Sequence, residues 1–271
     1  MMKADSKHDY VIYAKNITKR FGNIIALNNV TFKVRKNEIV GVVGDNGAGK
    51  STLMKILFGI HKPDSGELYI KGKLYNNLTP KKAYELGIVL IHQERTLCSH
   101  HSVWRNIFMA REITNRWGFL KINEMRNRSE NALKELGLTS RISSVDTPVN
   151  YLSGGYQQGV QISRALVFDA DVVILDEPTN ALSLKEVQKV LEYIRQLKER
   201  GKSGIMISHN VYHVYPVVDR FVILNKGSIV GEFQKKDLDI EDLSHIMLSI
   251  AETGRIPPEY SNLNLAENSE A

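Results

Sequence analysis

Two spacings of apolar residues alternate along this chain. Unbroken apolar runs occur at Ile39-Val40-Gly41-Val42-Val43, Ile88-Val89-Leu90-Ile91, Val172-Val173-Ile174-Leu175, Ile205-Met206-Ile207 and Phe221-Val222-Ile223-Leu224. Runs of this length, apolar on both side-chain faces, predict strands covered on both sides of a parallel sheet. Helical spacing lies before or between them. It is clearest from Leu184 to Glu199, with apolar residues at 184, 187, 190, 191, 194 and 197. Ser183 and Glu186 make a Ser-x-x-Glu capping box at its start. A helical segment also runs from Lys50 to Phe58, and Pro80 opens a short helix. Strands alternating with helices predict an α/β fold with a helix-covered parallel sheet.

Two regions depart from that rhythm. Over residues 10–34, Val11-Ile12-Tyr13 and Ile25-Ala26-Leu27 flank a turn at Phe21-Gly22-Asn23, and Val30-Thr31-Phe32-Lys33-Val34 alternates, so strands with turn punctuation are expected. Gly66-Glu67-Leu68-Tyr69-Ile70 predicts another strand. Between 97 and 168 the strand signal disappears: Ser102–Glu112 and Asn123–Leu136 read as helices, and a third begins near Ser153. The expected organisation is one domain over 10–253, with a core of 10–96 and 169–253 and an inserted helical lobe at 97–168. Residues 254–271 have two prolines and little periodicity and are expected to form a loose tail.

Composition narrows this further. The 271 residues are 42% apolar, enough for a sizeable core. Lys plus Arg exceed Asp plus Glu by 36 − 30 = 6. That excess suits a nucleotide polyanion, an acidic partner or a membrane face, and is too dispersed to point to nucleic acid. The single cysteine, Cys98, allows no internal disulfide and fits a reducing compartment. The polar opening residues give no expectation of a secretory signal, and no stretch approaches 18 apolar residues, so membrane spanning would fall to other chains.

Chemistry first appears at Gly44-Asp45-Asn46-Gly47-Ala48-Gly49-Lys50-Ser51-Thr52. Gly-x-x-x-x-Gly-Lys-Ser between a strand and a helix is a Walker A phosphate loop. Its glycines let the backbone turn N–H groups toward phosphates, Lys50 adds a full charge, and Ser51 can ligate Mg²⁺. Asp176 and Glu177 end an apolar strand, where ligands of parallel sheets bind. Asp176 is placed to hold Mg²⁺ and Glu177 to take a proton from an attacking water. His209 and Gln93 also follow strands; either alone would more often be structural, and beside these motifs both point at the γ-phosphate or its metal. Asn225-Lys226-Gly227-Ser228 lacks the aspartate of a guanine-reading Asn-Lys-x-Asp. Adenine is favoured, stacked on an aromatic such as Phe21 or Tyr13.

Tyr151-Leu152-Ser153-Gly154-Gly155-Tyr156-Gln157-Gln158 is a second Gly-rich helix start, with Ser153 as its capping serine and a second anion site. Placed before the Asp-Glu strand, it resembles the signature of ATP-binding-cassette (ABC) ATPases. The resemblance covers residues 10–250 and includes Phe21, the phosphate loop, Gln93, the signature, Asp176, Glu177 and His209 in family order. It implies a P-loop NTPase (RecA-like) core with an N-terminal antiparallel β-subdomain, ATP and Mg²⁺ as ligands, and ATP hydrolysis. It further implies a head-to-tail dimer with a second ATPase subunit, each ATP lying between one phosphate loop and the other copy's Ser153, Gly154 and Gly155. By the same resemblance the lobe grips transmembrane permease subunits at the cytoplasmic face of the cell membrane, with Gln93 at its hinge. Gly87–Glu94 and Ser102–Phe108 resemble the monosaccharide importers of the ribose, xylose and fructose type, served by a separate sugar-binding protein. The alternative is a soluble regulatory cassette with no membrane partner. Two departures stand out: Asn180-Ala181-Leu182-Ser183 lacks the family's usual aspartate at 183, and Tyr156 stands where a glutamine is common.

Overall fold

Every one of the five apolar runs forms a strand, and all five join one sheet. The computed structural model describes residues 10–91, 97–140 and 142–266. In chain order the elements are β1 (Tyr10–Phe21), β2 (Ile24–Arg35), β3 (Ile39–Val43), α1 (Lys50–Leu57), β4 (Ser65–Ile70), β5 (Lys73–Leu74), α2 (Pro80–Glu85), β6 (Ile88–Ile91), α3 (Val103–Phe108), α4 (Ile122–Glu135), α5 (Gly154–Val167), β7 (Val172–Asp176), α6 (Leu184–Glu199), β8 (Ser203–Ile207), α7 (Val211–Val214), β9 (Arg220–Asn225), β10 (Ser228–Gln234) and α8 (Ile240–Thr253). The larger sheet runs β10-β9-β3-β8-β7-β6. Strands β9, β3, β8, β7 and β6 are parallel, and β10 closes one edge antiparallel to β9. The smaller sheet, β2-β1-β4-β5, is antiparallel throughout.

The unbroken apolar runs follow from burial on both faces. Within β3, Ile39 and Val43 enter one apolar cluster with α5, α6 and the helical segment, whereas Val40 and Val42 enter another with α1 and the smaller sheet. The same two-residue alternation divides Val173 and Leu175 from Val172 and Ile174 in β7. Each such side chain, fully buried, contributes about 1.5–3 kcal/mol. All five parallel strands therefore present their carboxyl ends on one side.

The course of the backbone differs from the sequence reading in three places. The helix expected over Ser102–Glu112 is α3 and ends at Phe108. The chain turns at Ala110 (φ 63°) and brings the Arg111 guanidinium 3.7 Å over the Phe168 ring, a contact that a continued helix would not make. Strand β10 and helix α8 extend the fold beyond the last apolar run. The expected loose tail is packed as far as Ala266: Asn264 is fully buried, its Oδ1 accepts from Glu232 N at 2.9 Å, and Leu265 N donates to Glu232 O at 2.8 Å. The segment thus caps β10 as a short added edge. Asn264→Ala should lower stability by about 1–2 kcal/mol, since it removes this side-chain acceptor from the β10 amide. Urea unfolding would read this as a lower midpoint; an unchanged midpoint would mean that the segment adds nothing to the fold.

Candidate active site

The phosphate loop is the connection from β3 to α1. Gly44, Gly47 and Gly49 all have positive φ (148°, 82° and 104°). At two of them space is as limiting as conformation: a Cβ on Gly44 would stand 2.1 Å from Leu224 O, and one on Gly49 would stand 2.5 Å from Ala26 O. The loop is thus wedged between the end of β9 and the β1–β2 hairpin. Helix α1 starts at Gly49 without a capping side chain, so its first-turn amides remain donors for an anion. The Lys50 ammonium is buried and donates to Gly44 O at 2.6 Å and Asp45 O at 2.9 Å. Burial lowers its pKa, and Glu177, Asp45 and Asp176 oppose that shift. Those loop carbonyls hold Lys50 against the cradle to which phosphate would bind.

Strand register explains the rest of the assembly. Asp176 pairs with Ile207 across β7 and β8, and Val42 pairs with Ile207 across β3 and β8. The three strand ends therefore lie side by side. Past the end of β7 the backbone turns left-handed at Glu177 (φ 50°). Glu177 Oε1 accepts from His209 N at 3.1 Å and lies 2.9 Å from His209 Nδ1, while Oε2 takes a longer contact of 3.4 Å from Ser208 Oγ. Asp176 and Glu177 are each 8% exposed, so these are held carboxylates rather than a solvated acidic turn.

A cavity of about 360 Å³ joins these parts. Ile24, Ile25 and Ala26 of the hairpin line one side, Asn46, Gly47, Gly49, Lys50, Ser51 and Thr52 the base, and Glu177, Asn180 and His209 the other. Phe21 does not line it: its ring sits edge-on to His61 at 5.2 Å, on the strand just before the hairpin turn. Tyr13, the other candidate for adenine, stacks on Tyr69 at 5.8 Å within the smaller sheet. Gln93 lies outside the described residues. Residues not singled out in the sequence also take part. Asn180 lines the cavity, and the buried Thr179 hydroxyl lies 2.9 Å from His213 Nδ1. Burial lowers the His213 pKa, with His209 adding to the effect. The signal for His213 was its place four residues after His209.

The second Gly-rich helix start is separate from this cavity. Ser153 is the N-cap of α5, but its hydroxyl makes no capping bond, contrary to the simple cap expected from sequence. Tyr156 faces α6, where Lys189 Nζ donates to its hydroxyl at 3.0 Å and lies 4.1 Å over its ring. The capping box of α6 is formed as expected: Ser183 N donates to Glu186 Oε2 at 3.1 Å. Ser183 therefore has a structural task at the position where the family's aspartate is missing.

Comparison with known proteins agrees with this geometry. A family model described as ABC transporter matches residues 27–180, which include the phosphate loop, the second Gly-rich helix start and the Asp-Glu strand end. The xylose/arabinose import ATP-binding protein of Sulfolobus acidocaldarius is 40% identical over 237 residues, 88% of this chain and 93% of that protein. The ribose import ATP-binding protein of Caldanaerobacter subterraneus subsp. tengcongensis is 36% identical over 252 residues, which are 93% of this chain and 50% of that protein. The chain thus spans nearly all of the first relative and half the length of the second. Among solved structures, the ADP conformation of an ATP-binding cassette of an ABC transporter matches with a TM-score of 0.76 at 25% identity, over 90% of this chain and 99% of that one. A dimeric post-hydrolysis cassette bound to ADP and Pi matches with a TM-score of 0.69 at 28% identity, over 83% and 98%.

Proposed function

This chain belongs to the ABC transporter family, as an ATP-binding cassette, and from that premise we propose that it is the ATP-hydrolysing subunit of a monosaccharide importer. One observation carries the ATPase reading: Lys50, Ser51, Glu177 and His209 line a single cavity at the carboxyl ends of parallel strands. In this reading the phosphate-loop amides and Lys50 bind the β- and γ-phosphates, with Ser51 and Thr52 beside them. Ile24 and Ile25 offer apolar surface to the nucleoside, with Phe21 next along the hairpin. Glu177 accepts the proton of the attacking water, and His209, bonded to Glu177, orients that carboxylate and senses the γ-phosphate.

Ser51 and Asp176, with Gln93, are the residues that would hold Mg²⁺, which when bound neutralises charge on the transferred phosphoryl group. Their chemistry suits an ion that arrives with the nucleotide, for a hydroxyl and one carboxylate leave most of an octahedral oxygen set to phosphates and water. Among the described residues no cluster of three His, Cys, Asp or Glu side chains makes a metal site by itself.

Nucleotide binding has a direct test. Lys50→Ala should weaken binding of a non-hydrolysable ATP analogue by about 10- to 100-fold, the equivalent of one charge-assisted hydrogen bond of roughly 1.5–3 kcal/mol. Calorimetric titration measures it, and unchanged affinity would remove Lys50 from the site.

Sugar import rests on the relatives, one of which is matched over 93% of its length. Among the described residues no helix is long and apolar enough to cross a membrane, so permease subunits would do the spanning. The chain would dock on their cytoplasmic face as a homodimer, and a separate sugar-binding protein would deliver the solute. Co-purification with a permease pair, and ATP turnover stimulated by binding protein loaded with pentose or hexose, are the expected results. A chain that never associates with membranes would return the soluble regulatory reading.

A further inference from the structure

One donor at the start of α5, the Gly155 amide, is already engaged within the chain. Gly155 N donates to Glu186 Oε1 at 3.1 Å, and the Ser153 hydroxyl acts on the same carboxylate. The other oxygen, Oε2, accepts from Ser183 N at 3.1 Å and Ser183 Oγ at 2.9 Å. One side chain therefore serves two helix starts: it completes the capping box of α6 and accepts from the Gly155 amide in the first turn of α5. Gly155 makes this approach possible, since a Cβ there would lie 2.9 Å from Glu186 Cβ and 3.0 Å from its Cγ. Gly155 is not among the glycines with positive φ, so its small size serves the contact rather than the backbone. The surrounding donors, the Gly155 amide first among them, hold the Glu186 carboxyl down to about 2. The side chain is therefore an anion throughout the neutral range.

We propose that Glu186 is a resident anion in the Ser153-Gly154-Gly155 site, which the terminal phosphate of a nucleotide on a second copy must displace before the site can close. The inference rests on the head-to-tail reading of that site given above. The Gly155 amide has one proton and cannot fully bond both a carboxylate and a phosphate oxygen. Two anions at one helix start also repel, whereas either alone is favoured there. Glu186 keeps its second anchor through Oε2 and Ser183, so displacement breaks one end of the bridge and leaves the α6 cap in place. The consequence is a threshold. The half-site accepts a strongly charged terminal phosphate and resists closing without one. Three residues after the position where the family's aspartate is missing, the Glu186 carboxylate joins the signature helix to the segment following Glu177.

The test follows the Gly155 amide resonance of the ¹⁵N-labelled chain during titration with inorganic phosphate at neutral pH. In the unaltered chain Gly155 should stay still over the range in which the Gly47 and Gly49 amides respond. In Glu186→Ala it should respond over that same range. Glu186→Gln removes the charge but keeps the side-chain shape and a capping group, so it covers the case in which the alanine variant fails to fold. A Gly155 signal that moves as readily in the unaltered chain as in the variants overturns the proposal, as does one that stays still in both variants. A second arm measures ATP-dependent self-association in the Glu177→Gln chain. Adding Glu186→Gln should lower the protein concentration at half-association by about two- to fivefold, the effect of one charge at a helix terminus. No change, or a rise, overturns the displacement step. If neither chain associates with ATP while the phosphate arm comes out as expected, the head-to-tail reading fails and the resident anion stands.

Discussion

Glu177→Gln should reduce ATP turnover by about 10²- to 10⁴-fold while leaving ATP affinity close to its original value. The two effects separate because of where the side chain sits. Glu177 lines the same cavity as the phosphate loop, which in the proposed reading supplies the charge and amides that bind nucleotide. Its own carboxylate is buried, with Oε1 held by the backbone and ring of His209. Glutamine has the same shape and can still accept the His209 N–H through its amide oxygen. It has no basic oxygen to receive a proton from water, so the bound state survives and the chemical step does not. On the head-to-tail reading proposed above, ATP added to this variant should also collect it as a dimer on a sizing column, because the phosphate lying between two copies would no longer be removed. His209→Ala is the companion measurement. It leaves the proposed base in place but frees its orientation, and should cost less turnover than Glu177→Gln. Turnover at the original rate in Glu177→Gln would place the base elsewhere.

Much of this site was legible in the sequence because its parts are local. A loop of nine residues, Gly44–Thr52, carries its own glycines, lysine and hydroxyls, and the strand before it needs only an apolar run to be recognised. The fold core was legible for the same reason: burial on both faces leaves a continuous signature in β3, β6, β7, β8 and β9. What escaped depends on residues far apart in the chain. Strand β10 is buried mainly on one face and is broken by an irregularity between Ile229 and Gly231, so it gives no clean alternation. Asn264 is a polar residue in a polar segment, and only its partner Glu232, 32 residues earlier, makes it a buried one. Glu186 was readable as a capping residue of its own helix, but its bond to Gly155 spans 31 positions and needed the packing of α5 on α6. Helix α8 is a different case. Its Asp239 cap, its buried Leu243, Ile246 and Ile250, and its Gly254 stop are all local and could have been read directly.

The largest stability effect is expected at Arg220, a residue with no part in the chemistry. Its side chain is 1% exposed at the first position of β9. Nε donates to Glu38 Oε1 at 2.8 Å, Nη2 donates to Lys33 O at 2.7 Å, and Nη1 lies 2.7 Å from Glu232 Oε1. Burial alone would push its pKa down, but Glu38 and Glu232 more than offset this and the pKa is raised. Those partners come from β2, the turn before β3, and β10, so one guanidinium joins the hairpin, the central strand and the sheet edge. Arg220→Ala would remove the cation and leave Glu38, itself 8% exposed, as a buried carboxylate without its counter-charge. Breaking a buried pair from one side costs about 3–5 kcal/mol. At this chain length that is a fall in Tm of roughly 6–20 °C. The double variant Arg220→Met with Glu38→Gln separates the causes. If the loss comes from the stranded carboxylate, the double variant should recover a large part of it, because two neutral side chains can share the space. If it melts as low as Arg220→Ala, the loss is one of packing across the three strands. The phosphate loop begins five residues past Ile39, the residue of β3 that bonds beside this cluster. Scanning calorimetry at matched ATP concentrations should therefore show the single variant stabilised by nucleotide to the same extent as the unaltered chain and still melting below it, since ligand binding adds to the folded state without repairing the ion pair.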